Sequence, residues 1–185
     1  MRAGGRARIL VVAALLAGAA LAATRDSFPK PATDDELFKQ VRHAVLTYPY
    51  YYIWDDIGMS VHDGQVVLTG AVTEPYKKAD LGRLIARIPG VAGVTNEIKV
   101  LPLSPMDNRL RRQVAHAIFS YPPLSRYAAA PVPSIHIIVD NGHVTLSGVV
   151  ATDGDKQLAT IRARGAGLSF GDIVNHLQVE HPKNS

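Results

Sequence analysis

From Asp34 onward, apolar residues fall first at the helical interval and then at every second position, and the change between these periods marks out the elements. Leu37, Val41, Ala44 and Val45 make one face of a helix that Asp34 and Asp35 are placed to cap. Tyr48-Pro49 predicts its end, because the residue before a proline disfavours the α region. Ile57 to His62 and Gln65 to Val72 read as strands joined at Asp63-Gly64, a strong two-residue hairpin signal. Glu74-Pro75 opens a second helix that runs through Arg87, with Leu81, Leu84, Ile85 and Ile88 inward. Pro89-Gly90 stops it, and Val94 to Val100 alternates as a last strand, with Val94, Asn96, Ile98 and Val100 on one side.

The whole pattern then recurs. Asp34, Leu37, Gln40, Val41, His43, Ala44, Tyr48 and Pro49 return 73 positions later as Asp107, Leu110, Gln113, Val114, His116, Ala117, Tyr121 and Pro122. Gly64, Val66, Leu68 and Gly70 return 78 positions later as Gly142, Val144, Leu146 and Gly148, and Asn96 and Val100 return 79 later as Asn175 and Val179. The drift in offset means five extra residues in the first loop of the second copy. That copy is expected to hold a helix over 107–119, strands over 135–139 and 143–150 around Asn141-Gly142, a helix over 153–163 and a strand over 172–179. Gly70 and Gly148 fall inside strands, where glycine marks a bulge or a close approach by another element. The fold class is therefore α+β: two tandem αββαβ domains, 34–100 and 106–180, each a three-stranded sheet packed on two helices. A strand–helix–strand crossover sets the last strand parallel to the second. Residues 101–105, with two prolines, make a short stiff spacer, and cores this small are expected to lean on each other.

The N-terminus has a different character. Arg2, Arg6 and Arg8 precede the apolar run Ile9–Leu16 and the small-x-small site Ala20-Leu21-Ala22, so residues 1–22 read as a cleaved secretory signal. The apolar stretch is shorter than the roughly 20 residues a bilayer span needs. Residues 23–33 form an N-terminal extension and 181–185 a tail. No transmembrane span is expected once the signal is gone. The net charge of +4 then shrinks, since 17 basic residues remain against 16 acidic ones. A basic surface covering the whole protein, as a general nucleic-acid binder needs, is excluded. The absence of cysteine excludes disulfides, thiolate metal sites and a thiol nucleophile.

The phrases Asp63-Gly64-Gln65-Val66-Val67-Leu68-Thr69-Gly70 and Asn141-Gly142-His143-Val144-Thr145-Leu146-Ser147-Gly148, with Ile88-Pro89-Gly90-Val91 and Val94-Thr95-Asn96-Glu97-Ile98-Lys99-Val100, resemble the BON domain family of bacterial envelope proteins. The second copy departs from the pattern at 163–172, which is glycine-rich and lacks the Pro-Gly-Val turn. The resemblance implies a periplasmic, non-enzymatic binding module for phospholipid or envelope partners, supporting envelope integrity or stress tolerance.

No catalytic constellation, cofactor motif or metal-ligand spacing stands out. There is no phosphate-binding glycine loop and no Gly-x-Ser-x-Gly elbow. The seven histidines are scattered, and His43, His62, His116, His136 and His143 are expected at the solvated surface. Asp55-Asp56 sits in a loop, and adjacent carboxylates do not converge on one atom. Asp153-Gly154-Asp155 lacks the later ligands of a calcium loop and reads as a helix N-cap with an acid in the first turn.

Three features are candidates for contact. Arg109, Arg112, Gln113 and His116 lie on one helical face, with Arg111 nearby, and suit an anionic phospholipid surface or are simply solvated. The run Tyr48-Pro49-Tyr50-Tyr51-Tyr52-Ile53-Trp54 suits an envelope-protein partner or the closure of a small core. The loop 122–133, which carries Arg126 and Tyr127, is a partner or domain-contact loop or a plain insertion.

Overall fold

Thr33 and Ser104, rather than the repeated aspartates, cap the first helix of each copy. The computed structural model describes residues 33–130, 132–166 and 173–180. The signal at 1–22, almost all of the extension 23–33, the tail 181–185 and the expected strand start at Asp172 lie outside the described residues. The first copy runs α1 (Asp34–Leu46), β1 (Asp56–His62), β2 (Gln65–Val72), α2 (Pro75–Ile85), β3 (Gly93–Asn96) and β4 (Lys99–Val100). The second runs α3 (Pro105–Phe119), a short α4 (Pro122–Ser125) with a 3-10 turn over Arg126–Ala128, β5 (Ile135–Asp140), β6 (His143–Val150), α5 (Asp153–Arg164), β7 (Val174–Asn175) and β8 (Gln178–Val179).

At α1 the Thr33 side chain accepts from Glu36 N while Glu36 reaches back to Thr33 N, a reciprocal cap. Asp34, relieved of capping, fastens the hairpin turn to the helix, its carboxylate accepting from the backbone of Asp63 and Gly64 at 2.9 and 3.1 Å. Those two hydrogen bonds hold its pKa below the usual carboxylate value. Asp107 does the same for Asn141 and Gly142, at 3.0 and 2.9 Å. The aspartate of the repeat is a turn anchor, and α3 begins two residues earlier than the spacing predicts, on Pro105.

In each sheet the hairpin strands pair antiparallel and the last strand runs parallel to the second. The expected single last strand is broken in both copies, into β3 and β4 and into β7 and β8, so each sheet holds four strand segments. The break is made by the repeated asparagine, whose side-chain carbonyl accepts from the backbone N–H two residues on (Ile98 and Leu177, 3.2 and 2.9 Å). Its amide donates to a helix carbonyl, of Lys78 or Lys156. Gly70 and Gly148 have φ of +96° and +109°, and a Cβ on either would lie 2.0 Å from a backbone oxygen of the neighbouring strand. Close approach is what these glycines permit. The helix through Arg87 ends earlier, at Ile85.

Leu37, Val41 and Val45 of α1 and Leu81 and Ile85 of α2 bury against Val66, Leu68, Val72 and Ile98. Leu110, Val114 and Ile118 of α3 do the same against Ile137, Val144, Leu146 and Leu177. The extra residues of the second copy are not a bare loop. Leu124 is fully buried, and Arg126 and Tyr127 reach Asp155 at 2.6 and 2.9 Å. Asp155 lies at the third position of α5, inside the cap made by Thr152, which corrects the reading of Asp153 as the cap. Its counterpart in the first copy is Lys77, whose Nζ donates at 2.7 Å to the buried Asp55. The two copies thus solve one position with opposite charges.

Both copies belong to one compact unit, Pro31–Ser185. Along their seam Ile137 N donates to Ile53 O at 2.7 Å, the Tyr51 and His136 rings lie 5.2 Å apart, and Ala71, Leu101 and Ile138 form a small apolar cluster. Lys99 pairs with Asp140, and Trp54 packs on the second core while Val132 packs on the first. The spacer over 101–105 is anchored at its two ends, by the buried Leu101 and by Pro105, which opens α3, with Pro102 and Leu103 exposed between them.

Candidate functional site

The basic face of α3 is assembled by three replacements relative to α1 and α2. Where the first copy has Glu36, Lys39 and Leu84, the second has Arg109, Arg112 and Arg162. Arg109, Arg112, Gln113 and His116 are exposed on α3, and with Ser120 and the α5 residue Arg162 they line a groove of about 430 Å3. Arg162 is held in place, its Nε donating to Ala117 O at 3.0 Å and its guanidinium lying 5.0 Å from the Tyr121 ring centre. Arg109, Arg112 and Arg162 have no acidic partner within ion-pair distance among the described residues. The matching groove in the first copy has an apolar floor of Ala44, Leu84, Ile88 and Pro89 edged by Lys39, His43 and Arg87. Arg162 escaped the sequence reading, although its alignment with an apolar helix residue was the available signal.

Arg111 does not belong to this face. It is 4% exposed, with Nη2 donating to Val139 O and Nη1 to Asn108 Oδ1, both at 2.5 Å, and it has no outward surface to offer a membrane. Burial lowers its pKa, against the opposing pull of Asp107, Asp140 and Asp55. Its counterpart in the first copy, Phe38, is exposed, so the burial of this position is particular to the second copy. Arg126 is exposed but committed to Asp155 and the Tyr127 hydroxyl.

The aromatic run divides by residue. Tyr51 is 7% exposed in the seam, where burial raises its pKa, and Trp54 is half-buried against the second core. Tyr50 and Tyr52 are each 49% exposed. Tyr50 stands edge-on to Tyr48 and Tyr76, both at 5.7 Å between ring centres, and Tyr76 is itself exposed. Asp55 lies in the loop before β1, as expected, but is fully buried and accepts from Lys77, Thr73 and Tyr52 N, while Asp56 opens β1.

His136 overturns the expectation of a solvated ring. It is 6% exposed at the seam, because β5 buries both of its faces. Among the described residues Asp34, His62 and Asp63 could converge on a cation, yet His62 and Asp63 are exposed and the Asp34 carboxylate is engaged with the turn. No helix among the described residues is long and apolar enough to cross a membrane.

Two solved structures of CdsD, a structural protein of the type III secretion system of Chlamydia trachomatis, match at 14% identity and a TM-score of 0.31. The matches cover 78% and 80% of this chain and 61% and 67% of those chains. No curated protein matches. The BON domain family model matches twice, over residues 33–102 and 107–181, the same two segments that the internal repeat and the two sheets delimit. With both copies matched over most of its length, the chain belongs to the BON domain family.

Proposed function

We propose that this protein is a non-enzymatic module of the bacterial envelope, exported to the periplasm, whose second domain meets anionic phospholipid through the groove between α3 and α5. The observation that carries the reading is the unpaired cationic lining of that groove, Arg109, Arg112 and Arg162, where its counterpart has Lys39 and Arg87 over an apolar floor. A membrane-proximal arginine gains about 1 kcal/mol from an anionic surface. The tandem arrangement also resembles that of the osmotically inducible periplasmic protein Y, in keeping with a role in envelope integrity or stress tolerance.

Co-sedimentation with vesicles of phosphatidylglycerol and phosphatidylcholine tests this. Reversing Arg109 and Arg112 to glutamate removes two attractions, about 2 kcal/mol or roughly thirtyfold in affinity. The same reversal at Lys39 leaves binding nearly unchanged, and rising salt weakens wild-type binding. Equal binding with both arginines reversed refutes the groove. The exposed tyrosines Tyr50, Tyr52 and Tyr76, of which Tyr50 and Tyr76 meet edge to face, support a second reading, a docking patch for an envelope protein, since aromatic residues are enriched at contact surfaces.

A further inference from the structure

Unpaired charges of both signs face a second, more enclosed cleft. Where α3 meets the loop that leads into α2, Trp54, Thr73, Glu74, Asn108, Arg111 and Arg112 line a space of about 230 Å3. Glu74 stands at the N-cap of α2 but makes no capping hydrogen bond. Neither it nor Arg111 nor Arg112 has an ion-pair partner within 4.0 Å among the described residues, so the cleft's own acid and bases do not meet. Arg111 is the sharper observation. A buried guanidinium is costly unless its donors are met, and here Nε has no acceptor among the described residues. Asp107, Asp140 and Asp55, the acids whose charge it feels, have their oxygens committed to the 141–142 turn, to Lys99 and Asn141, and to Lys77.

We propose that this cleft binds a small zwitterion, a free amino acid, with its carboxylate on the exposed Arg112, in the positive field of the buried Arg111, and its ammonium toward Glu74 and the Trp54 ring. An arginine fork matches a carboxylate in geometry, and an ammonium is attracted both by a carboxylate and by an indole face. A simple anion satisfies the arginines but is repelled by Glu74, and a simple cation meets the reverse difficulty. The site stands apart from the membrane groove: it shares Arg112 but uses none of Arg109, His116 or Arg162.

Calorimetric titration of the protein with L-alanine, acetate and ethylamine, with Trp54 fluorescence as a second readout, tests the assignment. Alanine is expected to bind at least about tenfold more tightly than either fragment, the scale of one charged hydrogen bond. Glu74→Gln should weaken alanine by about tenfold and leave acetate no weaker, while Arg112→Gln weakens both. Neither variant alters the buried Arg111, so both are expected to fold, and Arg109→Gln serves as the control that leaves alanine binding unchanged. Absence of alanine binding at millimolar concentration overturns the proposal, as does acetate binding equal to alanine or indifference to Glu74→Gln. Glu74→Gln leaves vesicle binding unchanged, so it separates the two sites, whereas the shared Arg112 is expected to act in both assays.

Discussion

Replacing Asp55 with alanine is expected to be among the most damaging single changes in the first domain, far more so than replacing its partner Lys77 with methionine. Asp55 is fully buried and its carboxylate collects four donors: Lys77 Nζ at 2.7 Å, Thr73 N and Tyr52 N at 3.0 Å, and the Thr73 hydroxyl at 3.2 Å. Asp55→Ala strands a buried ammonium and two backbone N–H groups together. Breaking a buried pair from one side costs about 3–5 kcal/mol. Lys77→Met leaves the carboxylate three of its four donors and fills the ammonium's place with an apolar chain, so about 1.5–3 kcal/mol is expected from the one lost charged hydrogen bond. The double variant Asp55→Asn/Lys77→Met should cost less than Asp55→Ala alone, because no unpaired charge is left buried. Urea unfolding followed through Trp54, the sole tryptophan, reads the differences directly as midpoint shifts at constant m-value. Equal losses for the two single variants, or a loss below about 1 kcal/mol for Asp55→Ala, would refute the assignment of the buried charge as the dominant penalty.

His136 gives a pH signature. Burial holds its pKa below the ordinary 6.5, with Asp56 opposing, so the neutral ring is favoured in the folded state. Its contribution is complete above about 6.5 and is lost as pH falls from there through the depressed folded value; melting temperatures at pH 7.5 and 5 should differ less in His136→Gln than in wild type. Gly148→Ala should cost at least about 1–3 kcal/mol from backbone strain, with the clash against Ser134 O adding to it; a loss under about 1 kcal/mol in chemical unfolding would mean that β5 yields at this point.

The duplication, the hairpins and the helix faces were legible because each rests on local rules of period and turn chemistry. The seam was less legible, though its mark is present. Ile57-Gly58-Met59-Ser60-Val61-His62 alternates, and its polar positions Ser60 and His62 are exposed. Ile135-His136-Ile137-Ile138-Val139 does not alternate, and all five residues are buried. An apolar run replacing an alternating one in a repeat signals a strand covered on both faces, and from it both the burial of His136 and the contact between domains follow. The break in the last strands was hidden by their intact alternation, since it depends on where the Asn96 and Asn175 side chains turn. The buried place of Arg111 hung on a neighbour far along the chain, the Val139 carbonyl, which helical spacing alone cannot supply.

The packing of one domain on the other joins unlike patches. His136, Ile138 and Asp140 of the second domain meet Tyr51, Ala71, Leu101 and Lys99 of the first. Such head-to-tail contact has no built-in stop, and a third unit could in principle be added at either end. The corresponding positions at the free ends are different in kind. In place of His136, Ile138 and Asp140 the first domain offers Gly58, Ser60 and His62, and in place of Lys99 and Leu101 the second offers Gln178 and Glu180. Ser60, His62, Gln178 and Glu180 are all exposed. Apart from Val149, which matches Ala71 and is exposed, these are polar residues of the kind that caps a repeat array, so the surfaces by which one domain seats on the other are not reproduced at the outer ends of the pair.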